Sequence, residues 1–217
     1  MGQTSSFPIS NQPSLKINAK EHTKNKEGNN SFALLLSLSL SLSLSLWEME
    51  NTAILREWFD RVDSDHTGNI SAPQLKRAFA AGNLEFSISV VQQMIRMYDF
   101  DRNGTMNFEE FVALNKFLLK IQHTFSALER GRGFLIPEDV YEGLVKVGFS
   151  LDSPAFYTAC ESFDQNKKGR FRLDDFISLC IFLQSARNLF SSFDTAKQGR
   201  VSLDFNQFIY CTANCRI

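Results

Sequence analysis

Apolar residues recur every three or four positions from about residue 49 onward, which predicts a series of amphipathic helices. Five polar segments interrupt this pattern, and each has a glycine followed two residues later by an apolar residue. Successive glycines are 36, 29, 36 and 30 residues apart: Gly68, Gly104, Gly133, Gly169 and Gly199. A short step leaves room for one helix between two loops, whereas a long step holds two helices and a linker. The pattern therefore predicts an all-α fold of about eight helices, with Asn107–Leu128 and Leu173–Phe193 each shared by two loops.

The second polar segment, residues 99–110, has the composition of a twelve-residue calcium loop. Oxygen-bearing side chains stand at positions 1, 3, 5, 9 and 12, namely Asp99, Asp101, Asn103, Asn107 and Glu110. Thr105 at position 7 offers a backbone carbonyl, and Gly104 at position 6 permits the sharp turn. Ca²⁺ takes roughly six to eight oxygens at 2.3–2.6 Å, and this spacing wraps them around one point. With an amphipathic helix on either side the segment is an EF-hand, hand two, and its predicted ligands are Asp99, Asp101, Asn103, Thr105 and Glu110.

The first polar segment, residues 63–74, is a weaker version of the same loop, hand one. Its predicted ligands are Asp63, Asp65, Thr67, Asn69 (through its carbonyl) and Gln74. Gln74 stands where hand two has Glu110, and a neutral amide offers one oxygen and no charge. We therefore expect hand one to bind Ca²⁺ weakly, with Mg²⁺ as an alternative ion in weak sites.

The remaining three segments form degenerate hands three, four and five, at about residues 129–139, 164–175 and 194–207. Hand three is one residue short, and basic residues, Gly, Ala or Gln stand at ligand positions in the three loops. We expect these hands to bind Ca²⁺ weakly or not at all. Two interpretations of their basic residues stay open: ordinary solvated charge, or a calcium-independent face for acidic partners or anionic lipid. These residues are Arg130, Arg132, Lys167, Lys168, Arg170, Arg172, Lys197 and Arg200.

An odd number of hands leaves one without a neighbour. EF-hand loops pair through a short β contact, because each loop has backbone groups that need a partner. The spacing pairs hands one and two through Ile70 and Met106, and hands three and four through Leu135 and Phe171. Hand five, with Val201, is left over. This predicts a twofold dimer in which hand five pairs with hand five of a second copy.

This organisation resembles the penta-EF-hand family over about residues 51–217. The resemblance rests on the alternating loop spacing, the shared helices, the stretch Phe193–Gly199 that opens the last hand, and the stretch Arg170–Cys180. It implies a mostly helical fold, dimerisation through the fifth hand, and calcium-triggered binding to membranes or partner peptides. Members commonly have a Gly/Pro-rich N-terminal tail and bind calcium in hand one or three, whereas here that tail is lacking and hand two is the strongest.

The first 48 residues lack the helical patterning and are treated as a separate segment. Residues 1–31 are polar, as is typical of disorder, and Gly2 formally fits an N-myristoylation pattern. Residues 33–46 end in strict Ser–Leu alternation, which is too short to span a bilayer and is encodable by a simple CT repeat. Met49 is therefore an alternative start of the protein. We divide the chain into residues 1–48, disordered or a non-native leader, and a penta-EF-hand domain at residues 49–217.

Composition and motifs limit the classes of function that the chain is expected to have. The net charge of −1 gives no electrostatic basis for binding nucleic acid. The sequence contains no nucleophile–base arrangement, phosphate loop or catalytic metal cluster, so we do not expect an enzyme. Four cysteines without a zinc spacing favour a reduced, cytoplasmic protein, with peripheral membrane association left open. The leading hypothesis is a calcium sensor and adaptor that alters partner or membrane binding. The alternatives are a calcium-independent dimeric scaffold and a regulatory subunit of a calpain-like protease.

Overall fold

The computed structural model describes residues 47–164 and 167–215. The predictions of disorder, of Gly2 myristoylation and for the Ser–Leu run concern residues that lie outside this part. The described part contains eight α-helices: α1 Trp47–Val62, α2 Ala72–Ala81, α3 Ile88–Tyr98, α4 Phe108–Glu129, α5 Pro137–Val147, α6 Ser153–Phe163, α7 Leu173–Phe193 and α8 Phe205–Asn214. The all-α prediction is confirmed, and α4 and α7 are the two predicted shared helices. Helix α1 begins at Trp47, so the domain boundary predicted between residues 48 and 49 falls within its first turn.

Short polar side chains fix where several helices begin. The side chain of Ser87 accepts the backbone N–H three residues ahead at 3.2 Å, and Asp152 does the same at 3.0 Å. Such caps satisfy donors that the first turn of a helix leaves without a partner. At the start of α4, the side chain of Asn107 accepts the N–H of Glu110, while Glu110 accepts the N–H of Asn107. Glu110 therefore belongs both to the loop of hand two and to the cap of the helix that follows.

The loops pair as the spacing predicts. Ile70 and Met106 exchange two backbone hydrogen bonds of 2.8 and 2.9 Å, which join hand one to hand two. Leu135 and Phe171 make the same exchange, also at 2.8 and 2.9 Å, between hands three and four. Within the described residues, Val201 of hand five has no such bridge. The fold thus has two closed pairs of hands and one loop left over.

One apolar core joins the two pairs of hands. Helix α7 has ten buried residues and packs against α3, α4 and α6, so it contacts both pairs. A buried hydrogen bond of 2.7 Å from Gln93 Nε2 to Ser185 Oγ ties α3 directly to α7. An apolar groove of about 1100 Å³ runs between α6, α7 and α8. Across residues 47–164 and 167–215, no helix combines the length and apolarity that a bilayer span requires.

Candidate metal centre

Hand two brings three carboxylates together at the junction of α3 and α4. One oxygen each from Asp99, Asp101 and Glu110 lies within 4.8 Å of the other two. Asp99 is the residue after α3, and Glu110 lies in the first turn of α4, so the two helix ends meet across this cluster. The sequence placed these three residues at loop positions 1, 3 and 12, and the folded loop gathers them.

The loop is held in shape by its own backbone N–H groups. Asp99 accepts the N–H of Asn103 at 2.9 Å with one oxygen and that of Gly104 at 2.9 Å with the other. Glu110, only 1% exposed, accepts the N–H of Phe100 at 2.8 Å with Oε1 and the N–H of Asn107 at 2.8 Å with Oε2. These hydrogen bonds orient both carboxylates within the loop.

The remaining predicted ligands of hand two belong to the same loop. Asn103 Oδ1 accepts hydrogen bonds from the N–H of Thr105, at 2.7 Å, and from its hydroxyl. The amide of Asn103 donates to Asp101 Oδ2 at 2.8 Å. Carboxylate, amide and carbonyl oxygens are the hard ligands that Ca²⁺ prefers. The donor set of this loop therefore fits Ca²⁺.

In hand one the amide of Gln74 stands in the place of a carboxylate. Gln74 is 7% exposed, its oxygen accepts the N–H of Ser71 at 2.8 Å, and its amide donates to Asp65 Oδ1 at 3.0 Å. Thr67 donates its hydroxyl to the carbonyl of Asn69 at 3.0 Å. The amide of Gln74 thus occupies part of the ligand sphere of Asp65. An ion entering hand one has to break this contact.

The carboxylate of Asp63, the first residue of hand one, is stabilised in its charged form. Burial by itself would raise the pKa of Asp63, but hydrogen bonds from the backbone N–H groups of Gly68 (2.7 Å) and Thr67 (3.0 Å) outweigh it. The pKa of Asp63 therefore lies below its ordinary value. The prediction that hand one binds Ca²⁺ weakly because of Gln74 stays a prediction.

Comparison with known proteins agrees with this arrangement. A family model described as an EF-hand domain pair matches residues 53–115, which contain hands one and two. Sorcin from Schistosoma japonicum is 34% identical over 161 residues, covering 73% of this chain and 94% of that protein. Human sorcin is 31% identical over 150 residues, covering 66% of this chain and 75% of sorcin. Mouse peflin is 34% identical over 161 residues, and the match spans 58% of its length.

The chain belongs to the penta-EF-hand family. A solved structure of a homologue of programmed cell death 6 protein from Leishmania major agrees with this membership, with 31% identity and a TM-score of 0.57 over 74% of this chain and 89% of that one. The resemblance inferred from the sequence is confirmed. Ca²⁺ is the ion that a penta-EF-hand chain with this donor set binds, and the protein is a calcium-binding protein.

Hand three of this penta-EF-hand chain contains its own cation. The guanidinium of Arg132 donates to Asp139 Oδ2 at 2.5 Å and to the carbonyls of Glu129 (3.0 Å) and Leu128 (3.2 Å). Asp139 is buried and corresponds to Glu110 of hand two, since it also accepts the N–H of the residue that precedes its helix, Ile136. Burial opposes ionisation of Asp139, but its hydrogen bond from Arg132 lowers its pKa below the ordinary value. A guanidinium thus neutralises the loop carboxylate that calcium would neutralise elsewhere.

Hand four has neither a strong donor set nor a built-in cation. Asp175 accepts the N–H of Arg172 at 3.0 Å, and burial raises the pKa of its carboxyl above the ordinary value. Lys168 is exposed at ligand position 5. Asn166, an oxygen donor type at position 3 of this loop, lies outside the described residues. These features agree with the expectation of weak binding, which stays a prediction.

Hand five has a longer loop than hand two, since its second helix is capped at Asp204, ten residues after Asp194, whereas the cap of hand two, Asn107, follows Asp99 by eight. Helix α8 begins at Phe205, and Asp204 caps it together with Gln207, whose Oε1 accepts the N–H of Asp204 at 2.9 Å. Gln207 thus takes the structural place of Glu110, two positions later in its loop and without a charge. Helix α8 has no buried residue in the described part, and Phe205 is 74% exposed.

Sequence reasoning missed two groups that matter to these sites. From sequence, Arg132 is one of the basic residues at ligand positions, interpreted as solvated charge or as part of a face for acidic partners or anionic lipid, whereas the structure turns it inward onto Asp139. The Gln93–Ser185 contact joins residues 92 positions apart, and no local pattern indicates it. The four cysteines are free thiols, and burial raises the pKa of Cys160 to about 11.

Proposed function

We propose that this protein is a calcium sensor and adaptor in which hand two takes the regulatory ion. The observation that carries the proposal is the convergence of Asp99, Asp101 and Glu110 oxygens within 4.8 Å. With three carboxylates and neutral oxygens completing the sphere, an affinity in the sensor range, about 10⁻⁷–10⁻⁵ M, is expected. Catalysis of its own is not part of this function.

The effect of the ion follows from where its ligands lie. Asp99 is attached to the end of α3 and Glu110 to the first turn of α4, so shared coordination draws these two helix ends together. Such a change in the angle between two helices exposes apolar surface in calcium sensors. Partner or membrane binding would then respond to calcium.

The test is calorimetric titration of Ca²⁺ into the full chain with about millimolar Mg²⁺ present, a background that a sensor site must tolerate. We expect one site in the sensor range, joined by a weaker one in hand one. Glu110→Gln should remove the tight site, because it replaces the bidentate carboxylate by an amide. Glu109→Gln is the matched control, since Glu109 is exposed and one residue away. A tight site that survives Glu110→Gln contradicts the assignment.

We further propose that hand five joins two copies of the chain. Its loop is the one left over after the other four pair, and α8 exposes Phe205, Phe208, Ile209 and Tyr210. An aromatic and aliphatic face on a helix with no buried residue is unfavourable in a monomer. Light scattering after size exclusion should give a dimer for the native chain and a monomer for Phe208→Asp. Val145→Asp, an equally exposed apolar position on α5, should stay dimeric, and a monomeric native chain contradicts the proposal.

A calcium-independent scaffold is the second candidate, and one observation favours it. Arg132 neutralises the buried carboxylate of hand three, so this loop has a cation of its own in place of calcium. Pull-down of partners from the same extract with calcium and with chelator separates the two functions. Partners lost with chelator support the sensor, and partners retained support the scaffold.

A further inference from the structure

Most acidic residues of hands three and four are bound within their own loops. Glu129 accepts the N–H of Gly133 at 2.7 Å, and Asp164 accepts that of Gly169 at 2.6 Å. Asp139 and Asp175 are buried and are likewise bound by backbone N–H groups. These carboxylates are therefore used within their own loops and contribute little negative charge to the outer surface.

Four basic residues of the same two loops face outward. Arg130, Lys167, Lys168 and Arg170 are all exposed, and in the described part of the chain none of them is paired with a carboxylate. We call these four residues the basic face. Within the two loops, Glu138 is the exposed carboxylate of opposite sign. The two loops contain similar numbers of acidic and basic residues. Their surface is nevertheless cationic, because most of the carboxylates are bound within the loops while the basic face is exposed.

Two contacts hold the basic face together across the loops. The exchange of backbone hydrogen bonds between Leu135 and Phe171 sets hands three and four side by side. The ring of Phe134 lies between two guanidinium groups, with that of Arg170 at 4.8 Å and that of Arg132 at 5.6 Å from its centroid. Arg170 of hand four is thereby positioned by hand three. The charges come from two segments that the fold fixes next to each other.

We propose that the basic face binds an anionic membrane surface and does so without calcium. Its residues lie on two adjacent loop tips. None of them lines the apolar groove between α6, α7 and α8, whereas basic residues of a peptide-binding site would be expected beside such a groove. Flexible lysines and arginines on loop tips suit a flat surface of dispersed phosphate and carboxylate charge. Calcium is not needed, because Arg132 already fills hand three. The proposal is independent of calcium binding at hand two.

The experiment is co-sedimentation of the full chain with vesicles, in chelator. Vesicles of phosphatidylcholine alone are compared with vesicles that also contain phosphatidylserine. We expect binding to the anionic vesicles only, weakening as salt is raised, because exposed charges are screened. The same amount should bind when calcium replaces chelator, apart from any added binding through hand two.

The decisive variant is Arg130→Gln, Lys167→Gln and Lys168→Gln in one chain, because among the described residues these exposed side chains form no hydrogen bond or ion pair. Each basic residue near an anionic leaflet strengthens binding roughly fivefold, so the triple change should weaken it on the order of a hundredfold. The control is Lys76→Gln, Arg77→Gln and Lys116→Gln, which removes the same charge from exposed sites on α2 and α4.

Three results overturn the proposal. The first is equal loss of vesicle binding in both triple variants, which indicates bulk charge and no face. The second is a native chain that ignores anionic vesicles in chelator. The third is capture by an immobilised polyglutamate peptide without vesicle binding, which assigns the basic face to an acidic protein partner.

Discussion

Arg132→Ala should destabilise the protein although it alters an exposed loop. The change removes the partner of Asp139, whose side chain is 8% exposed, and two hydrogen bonds to the carbonyls of Leu128 and Glu129. A hydrogen bond to a charged group contributes about 1.5–3 kcal/mol, and the Arg132 side chain is 32% exposed, so water screens part of this. We expect a loss of about 2 kcal/mol in the free energy of unfolding.

The assay is urea unfolding followed by circular dichroism, with calorimetry for the melting temperature. A loss of this size lowers the melting temperature of a domain of this length by about 4–8 °C. Arg130→Ala is the matched control, because it removes the same charge two residues away from an exposed side chain without a carboxylate partner. Its effect should stay within about 0.5 kcal/mol. Equal losses in the two variants would refute an internal cation.

The pH dependence provides a second readout of the same contact. The pKa of Asp139 is lower in the folded protein than its ordinary value of 3.8. A depressed pKa contributes stability that is fully present above the unfolded value and is lost as pH falls through the folded value. The difference between native chain and Arg132→Ala should therefore be constant near neutral pH and shrink below pH 3.8. A difference that does not change with pH indicates lost packing instead of a lost ion pair.

Three further changes test other contacts. Gln74→Glu should add a carboxylate to hand one, so calorimetric titration should find one more Ca²⁺ site of sensor affinity; unchanged stoichiometry would show that another residue limits this loop. Gly143→Ala should destabilise by about 1–2 kcal/mol in urea, since its Cβ would lie 2.9 Å from Cζ of the fully buried Phe176; a gain in stability would mean that the ring moves aside. Ser185→Ala should cost about 1–3 kcal/mol, because it leaves the buried amide of Gln93 without its acceptor; a neutral effect in the same assay would mean that the amide finds another partner.

The spacing of glycines and apolar residues along the chain predicts most of the fold. The predicted bridges at Ile70–Met106 and Leu135–Phe171 are present because both depend on loop position alone. The shared helices α4 and α7 follow from the short steps between loops, within which no second helix fits. These features are local or repeated, and a periodic pattern is the strongest signal a single sequence carries.

The chemistry of the loops was less predictable because it depends on where side chains point. Ligand types at fixed positions identified Asp99, Asp101 and Glu110, which the fold brings together. In degenerate loops the same positions indicated only what is missing. They did not reveal that Arg132 folds back on Asp139, because the sequence alone does not indicate whether a basic side chain in a loop points outward or inward.

The loops keep the same turn even where other residue types stand at the positions that would bind calcium. The residue at position 4 has a left-handed backbone in hands one, two, four and five, with φ of 54°, 58°, 49° and 53° at His66, Arg102, Lys167 and Lys197. In all five loops the N–H of the shared glycine donates to the first acidic residue, at 2.6–2.9 Å. A loop therefore keeps its shape through one acid and one glycine, while the other ligand positions are free to change.

The shared helix α4 determines which part of the molecule is able to move. Its 22 residues form one rod of roughly 33 Å, with hand two at one end and Arg132 closing hand three just beyond the other. Because Arg132 holds that far end in place, we expect α4 to stay fixed when hand two rearranges. The angle of α3 should then change instead. Helix α3 is bonded through Gln93 to α7, the helix that leads into hand five. A change in the angle of α3 would therefore reach α7 directly, through this hydrogen bond and the packing of the two helices, without passing along α4.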